Sequence, residues 1–323
     1  MQIVKNGFKC YINSMKPLIS IVIPTFNSEV FLNECFDSVV NQTYENLEVI
    51  VIDGNSTDKT QEITKKYCEK NKNWKLIITN KGVSHQRNLG INSFSGDYLF
   101  FLDSDDYISA NLIESLYKTL ITNNLDLVTP EIHNVFYKNG RIVNTNIIEP
   151  IIIPVVTKDN FFNEAYDSFL GGPTKLFKRE LLTDILHDET ISNGEDLLFN
   201  YEMVKKVGSL KYGLSKGAIY YYRHDISITN PANKRLYPAG YLFCNKMVDI
   251  LSSMETKNKN FEGALFILDC QLRLFMKSYL SKRKFIPRAL RRSRKFMFKN
   301  TKRKFRYYYL FPRLYNVINA LIH

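Results

Sequence analysis

Apolar positions in the first 130 residues alternate between two patterns. Short runs rich in β-branched residues, at residues 19–23, 47–52, 76–79, 97–102 and 125–129, have the length and composition of buried strands. Between them apolar residues recur at helical spacing, as in Phe31, Leu32, Cys35, Phe36, Val39 and Val40, or Leu112, Ile113, Leu116, Tyr117 and Leu120. Ser56 or Thr57 is the expected cap of a helix reaching about residue 68, Gly96 closes a helix over residues 84–95, and Ser109 caps the next. Strand–helix alternation at this spacing predicts a mostly parallel sheet with right-handed crossovers. Such sheets bind ligands beyond the carboxyl ends of their strands. Asp53 and the acidic run Asp103-Ser104-Asp105-Asp106 both fall at that edge.

After Pro130 the alternation weakens. Asn139-Gly140 between Val135 and Val143 is a hairpin signal. A helix is expected over 157–170, a short strand at 175–177 and a helix opening at Gly194-Glu195-Asp196 that runs to about residue 207. A tyrosine-rich strand follows at 218–223. Residues 237–280 read as helical, with Phe261, Leu265, Leu268, Leu272 and Phe275 on one stripe.

The 323 residues are 45% hydrophobic and 24% charged, which excludes disorder, collagen-like repeats and a disulfide scaffold. Five cysteines without a CxxC suit a reduced compartment, and no run is apolar enough for a membrane span or a signal peptide. The formal charge of +12 hides an asymmetry. From Cys270 onward there are 16 Lys and Arg and no acid, leaving −4 on residues 1–269. Ile286, Leu290, Ser293 and Met297 share a helical face within this basic tail, and Leu314, Val317, Ile318, Leu321 and Ile322 form an apolar end. That pattern predicts a helix lying on an anionic membrane surface. The competing arrangements fold the tail back on the body or pair it with another subunit. Nucleic-acid binding is not expected, because the apolar residues gather into a face and do not stand as isolated stacking rings.

Asp103 and Asp105 are the main candidates for chemistry. At an extended strand end residues i and i+2 point the same way, so the two carboxylates converge and favour a hard cation such as Mg²⁺ or Mn²⁺ between them and a phosphate. A solvated acidic turn is the plain alternative. Asp53 can accept an imide N–H, bind a ribose hydroxyl or close an Asx-turn. Phe26 can stack on a base or fill the core, and Arg87 can line the pocket mouth or form a surface ion pair. Of Glu195 and Asp196 one can be a general base, or both can simply suit a helix N-terminus. His224 can ligate a metal or pack.

ISIVIPTFNSEVFLNECFDSVVNQTYENLEVIVIDGNSTDKT followed by GVSHQRNLGINSFSGDYLFFLDSDD closely resembles the nucleotide-binding half of the family 2 glycosyltransferases, which have the GT-A fold. GGPTKLFKRELL, GEDLLFNYEMV and YYYRHDISIT resemble the acceptor half. The resemblance implies inverting transfer from a nucleoside-diphosphate sugar, usually UDP-linked, with Mn²⁺ or Mg²⁺. It implies that Thr25, Phe26, Asn27, Glu29, Asp53 and Arg87 bind the nucleoside. Asp103 would lie by the ribose and metal, Asp105 would ligate the metal directly and Asp196 would be the base. The second acid usual after Asp53 is absent, since Gly54-Asn55 follows.

These expectations divide the chain into an arm at 1–14, a GT-A domain at 15–230 with halves at 15–129 and 130–230, a helical extension at 231–281 and the basic tail at 282–323. Met15 is a possible alternative start. The expected setting is cytoplasmic, peripheral at the inner face of the membrane, with a glycan or lipid-linked glycan acceptor of a bacterial surface polysaccharide. Two other classes compete: a nucleotidyltransferase, disfavoured by the lack of a Gly-rich phosphate loop with a lysine after the first strand, and a non-enzymatic anionic-surface binder.

Overall fold

A computed structural model describes residues 16–80, 82–138, 141–147, 152–168, 172–191, 193–225, 240–254, 259–281 and 290–300. Its first half is the expected alternation: β1 (Ile19–Thr25), α1 (Leu32–Val40), β2 (Leu47–Asp53), α2 (Thr60–Lys70), β3 (Trp74–Ile78), α3 (Val83–Ser93) and β4 (Tyr98–Phe101). β1 pairs in parallel with both β2 and β4, and β2 with β3. All seven residues of β1 are buried, because helices cover both faces of this part of the sheet. Gly90 lets α3 lie close on β1, where a Cβ would collide with Val22 at 2.5 Å.

The second half extends the same sheet. After β5 (Tyr107–Ile108) and α4 (Leu112–Thr122) come β6 (Leu127–Lys138), β7 (Arg141–Ile147), β8 (Ile152–Thr157), α5 (Phe161–Ser168), β9 (Leu176–Lys178), a 3₁₀ turn at Arg179–Leu182, α6 (Glu195–Val207) and β10 (Ser209–Asp225). The strand order is β3-β2-β1-β4-β9-β6-β10-β5, with β7 on β6 and β8 on β10. β9 is antiparallel to β4 and β6, whereas β6 and β10 are parallel. The sheet is thus parallel through the nucleotide half and mixed beyond it. The expected hairpin is present as β6 and β7, paired to Lys138↔Arg141, with its tip outside the described residues.

α7 (Gly240–Ser253), α8 (Lys259–Ser281) and α9 (Arg291–Asn300) complete the described chain. Phe243, Met247, Leu251, Phe261, Leu268, Leu272 and Met276 share one core with Phe162, Phe199 and Phe177, so α7 and α8 pack as part of the body. The face that was expected to meet a membrane is turned inward: Leu290, just before α9, and Ser293 and Met297 within it are 0–1% exposed, and Leu290 and Met297 belong to that core. Ser293 also meets Asn245 at 3.0 Å. The amphipathic pattern was right about which side is covered and wrong about what covers it, for an apolar helix face buries equally well against protein. Arg291, Arg292, Lys295 and Lys299 remain exposed. The apolar end beyond residue 300 lies outside the described residues.

Candidate active site

Three loops converge at the carboxyl ends of β1, β2 and β4. Asn27, in the left-handed region at φ 51, accepts the Thr57 N–H at 2.9 Å and donates its own N–H to Ser56. Glu29 accepts the Lys59 N–H, and the Glu29 N–H donates to Asp58. These bonds knit the β1–α1 loop to the β2–α2 loop. Ser28 and Ser104 hydroxyls meet at 2.7 Å and join both to the acidic loop. Phe26 is half-buried at the same edge. Asp53 is fully buried and accepts hydrogen bonds from Thr25, Ser56 and Gln61. Ser56 therefore serves Asp53 and caps no helix; α2 starts later, at Thr60, whose N–H donates to Asp58.

In the acidic loop the three carboxylates differ. Asp106 is buried, accepts from Tyr220 Oη at 2.6 Å and from the Arg223 N–H at 2.7 Å, and is pushed well above the usual carboxylate range by burial and by Asp105 and Asp103. It is a structural acid. Asp105 is exposed, and among the described residues no other residue's hydrogen bond reaches its carboxylate. The protein crowding around it and the charge of Asp103 raise its pKa. Asp103 points the other way, to Arg87. Arg223 holds the loop from outside, donating to the Asp105 carbonyl at 2.8 Å and to Glu34 while lying over the Phe31 ring.

Arg87 is the hub. Its Nη2 meets Asp103 Oδ1 at 2.9 Å, and its Nη1 meets Asp196 Oδ1 at 2.8 Å and Glu195 Oε1 at 3.4 Å. The side chain is 4% exposed. Burial alone would lower its pKa, but Asp196, Asp103 and Glu195 hold it raised. The resemblance places Arg87 among the nucleoside contacts; in the structure both terminal nitrogens are hydrogen-bonded to carboxylates. Arg87 ties the donor edge to the start of α6.

Gly194 precedes that helix with φ 85, a left-handed conformation that suits glycine, and a Cβ there would run into the Phe243 ring. This turn delivers Glu195 and Asp196 to Arg87. Asp196 is pushed up to about 7, mainly by burial, with Glu195 and Asp103 adding to the rise against the opposing charges of Arg87 and Lys175. Its Oδ1 is held by Arg87, while no hydrogen bond among the described residues reaches Oδ2. A carboxylate so arranged has one oxygen fixed and one available for a proton, at a pKa suited to general-base work near neutrality.

Two groups behind Asp196 were missed in the sequence. Lys175, just before β9, is fully buried and its amine is lowered to about 7 by burial, with Asp196 opposing. It donates to the Gly172 carbonyl. His187 stacks flat on Phe199 at 4.0 Å, with Nδ1 3.7 Å from Asp196 Oδ1. Burial and Arg87 lower it to about 2, so the ring is neutral at any working pH. The clue was weak: isolated basic residues beside a strand and in a loop, far in sequence from the acid they face.

His224 does not join the carboxylates. Its Nε2 meets Asn134 Oδ1 at 3.0 Å and its ring stacks on Phe136 at 4.5 Å. Burial lowers its pKa with no contribution from any acid of the loop. Among the described residues no three His, Cys, Asp or Glu side chains gather as a metal-binding group, so Asp103, Asp105 and His224 do not form one.

The sequence profile of glycosyl transferase family 2 matches residues 20–186. Among curated relatives, the uncharacterized glycosyltransferase EpsJ of Bacillus subtilis is 31% identical over 67% of this chain and 64% of its own length. The poly(ribitol-phosphate) beta-glucosyltransferase of Bacillus spizizenii is 34% identical over 63% of this chain and 32% of its own. The chain thus spans less than two thirds of the length of either relative. Crystal structures of Staphylococcus aureus TarS residues 1–349, one of them in complex with UDP-GlcNAc, superpose with a TM-score of 0.62 at 23% identity, covering 87% of this chain and 79% of theirs. The profile match covers the donor edge and more than half of the chain, and on it the chain belongs to glycosyl transferase family 2.

Proposed function

We propose that this protein is an inverting glycosyltransferase that moves a hexosyl or N-acetylhexosaminyl group from a UDP-sugar to a hydroxyl of a bacterial surface glycan or its lipid-linked precursor. The observation that carries this reading is Arg87, which joins the donor-edge acid Asp103 to the candidate base Asp196 in one buried network. The TarS complex with UDP-GlcNAc and the named activity of the poly(ribitol-phosphate) beta-glucosyltransferase support the donor and acceptor classes.

Thr25, Phe26, Asn27, Glu29 and Asp53 surround the nucleoside in this reading. Asp196 Oδ2 takes the proton of the acceptor hydroxyl as its oxygen attacks the anomeric carbon. The new C–O bond forms as the bond to the diphosphate breaks, and UDP leaves with that electron pair. Arg87 keeps Asp196 oriented and stops its charge from repelling Asp103. One carboxylate suffices, unlike the acid and nucleophile pair of a retaining glycosidase. Mg²⁺ is commonly held by one or two carboxylates together with substrate phosphates, so the exposed Asp105 carboxylate, which no other described residue's hydrogen bond reaches, fits such an ion even without a third protein ligand. Bound Mn²⁺ or Mg²⁺ would sit on Asp105 beside Asp103 and neutralise charge on the departing diphosphate. Asp105→Asn should therefore lose transfer at any metal concentration, and Asp103→Asn should weaken donor binding. Wild-type turnover by both variants in metal-free buffer would dismiss the metal assignment.

The basic tail supports a peripheral place on an anionic membrane, where a lipid-linked acceptor resides. Each Lys or Arg near such a surface contributes about 1 kcal/mol. Because α9 packs into the core, the informative truncation is after Asn300, which leaves that helix in place. Full-length protein should sediment with phosphatidylglycerol vesicles at low salt and be released in part at high salt. The shortened protein should sediment less; equal sedimentation of the two would remove the tail's role.

The reaction itself is tested with a panel of nucleotide sugars, Mn²⁺ and membrane extract. Release of UDP from one of them supports the reading. Release of pyrophosphate indicates a nucleotidyltransferase, and no release from any donor indicates a binding protein.

A further inference from the structure

Asp53 is 0% exposed, and its carboxylate is saturated. Oδ1 accepts the Ser56 N–H and Gln61 Nε2, each at 2.8 Å. Oδ2 accepts Thr25 Oγ1 at 3.0 Å and Ser56 Oγ at 2.5 Å. A carboxylate presents about four lone-pair positions, so any further donor must displace one already there.

Three of the four donors are held by the fold. The Ser56 N–H belongs to the turn that follows β2. Ser56 Oγ is fixed from its other side, accepting the Asn27 N–H at 2.9 Å. Thr25 is 1% exposed within β1. Gln61 differs from these. It reaches in from the first turn of α2 on a long side chain, is only partly buried, and among the described residues its amide makes one other hydrogen bond, a marginal 3.5 Å approach to the Ser56 carbonyl. Turning it outward breaks one good hydrogen bond and moves no backbone.

On the nucleoside reading of Asp53, we infer that Gln61 is a competing latch, occupying the Asp53 Oδ1 position that the imide N–H of a uracil base takes and swinging out when the nucleotide binds. In the empty site the amide fills the fourth acceptor position of a buried carboxylate, which would otherwise be one hydrogen bond short. In the bound site one N–H replaces another at the same oxygen. A base edge without a donor would displace Gln61 and leave Asp53 Oδ1 with the Ser56 N–H alone, one hydrogen bond short, so the site favours an imide. The latch also works against the nucleotide, because the Gln61 hydrogen bond must be lost before the imide bond forms.

That last point gives the test an unusual sign. Full-length protein in Mn²⁺ buffer is titrated calorimetrically with UDP and with its N3-methyl analogue, which lacks the imide hydrogen. Wild-type protein should prefer UDP by tenfold or more. Gln61→Ala and Gln61→Met, neither of which can donate, should bind UDP about three- to tenfold more tightly than wild type, the size of one net hydrogen bond, and the methylated analogue should gain by the same factor, because it too no longer has to displace the amide. If wild type prefers UDP but both variants bind it no more tightly, the latch is overturned while the Asp53 reading stands. If wild type binds the two nucleotides equally, the Asp53 reading fails and the latch with it.

Discussion

Asp196→Asn is expected to lose acceptor-dependent transfer by roughly 10² to 10⁴ in kcat, the range for removing a positioned general base, while still binding UDP. The amide preserves the size of the side chain and can keep a hydrogen bond to Arg87 through its oxygen, but it cannot take up the acceptor's proton. Initial rates with saturating donor, paired with calorimetric UDP binding, separate the two effects. Glu195→Gln should cost less, since Glu195 reaches Arg87 at 3.4 Å against 2.8 Å for Asp196. The reverse order of severity would transfer the role to Glu195. The same residue sets the pH dependence. A base works only when ionised, and burial lifts Asp196 to about 7. The rate should therefore fall as pH drops below about 7, nearly tenfold per unit, far above the range of an ordinary aspartate. A profile flat from pH 5 to pH 8 would mean that Asp196 is not the titrating base.

Arg87→Met should do the most damage overall. It strands Asp103, Glu195 and Asp196 without the cation they share, in a place where Arg87 itself is 4% exposed. Removing one partner of a buried ion pair costs about 3–5 kcal/mol, which in a chain of this size lowers Tm by roughly 10 °C. Activity should disappear together with the stability. Arg87→Lys separates charge from geometry: one ammonium cannot span Asp103 and Asp196 as the planar fork does, so stability should recover in part and activity should not. A thermal melt within 2 °C of wild type for Arg87→Met would show that the network carries no such weight.

The parallel half of the fold was legible because buried strands there are short continuous apolar runs and the helices between them carry clear stripes. β10 was harder. Gly213, Ser215 and Gly217 interrupt its propensity, yet it runs for 17 residues because pairing with β6 outweighs local preference. β5, of two residues, leaves no periodic trace. In the site, Asp53, Asp103, Asp105 and the Glu195-Asp196 pair were readable from their places at strand ends or a helix start. Lys175, His187 and Arg223 were not, since what marks them is approach to an acid 9 to 189 residues away in sequence. Ser56 was read as a cap because a serine before a helix ordinarily is one, and here the neighbouring Asp53 outcompetes the helix for its hydroxyl. His224 was read as following a strand, where a metal ligand could sit, but it lies within β10 and meets Asn134 and Phe136 of β6, a partner that only the sheet register reveals.

In the proposed mechanism a single oriented base acts opposite the leaving diphosphate and permits only in-line displacement, so the anomeric configuration of the product tests the account most directly. The enzyme is supplied with the α-linked UDP-sugar it turns over, and the transferred residue is examined by NMR before any secondary hydrolysis. The account predicts a β-linked product. An α-linked product would require a second nucleophile or a front-face route and would contradict it.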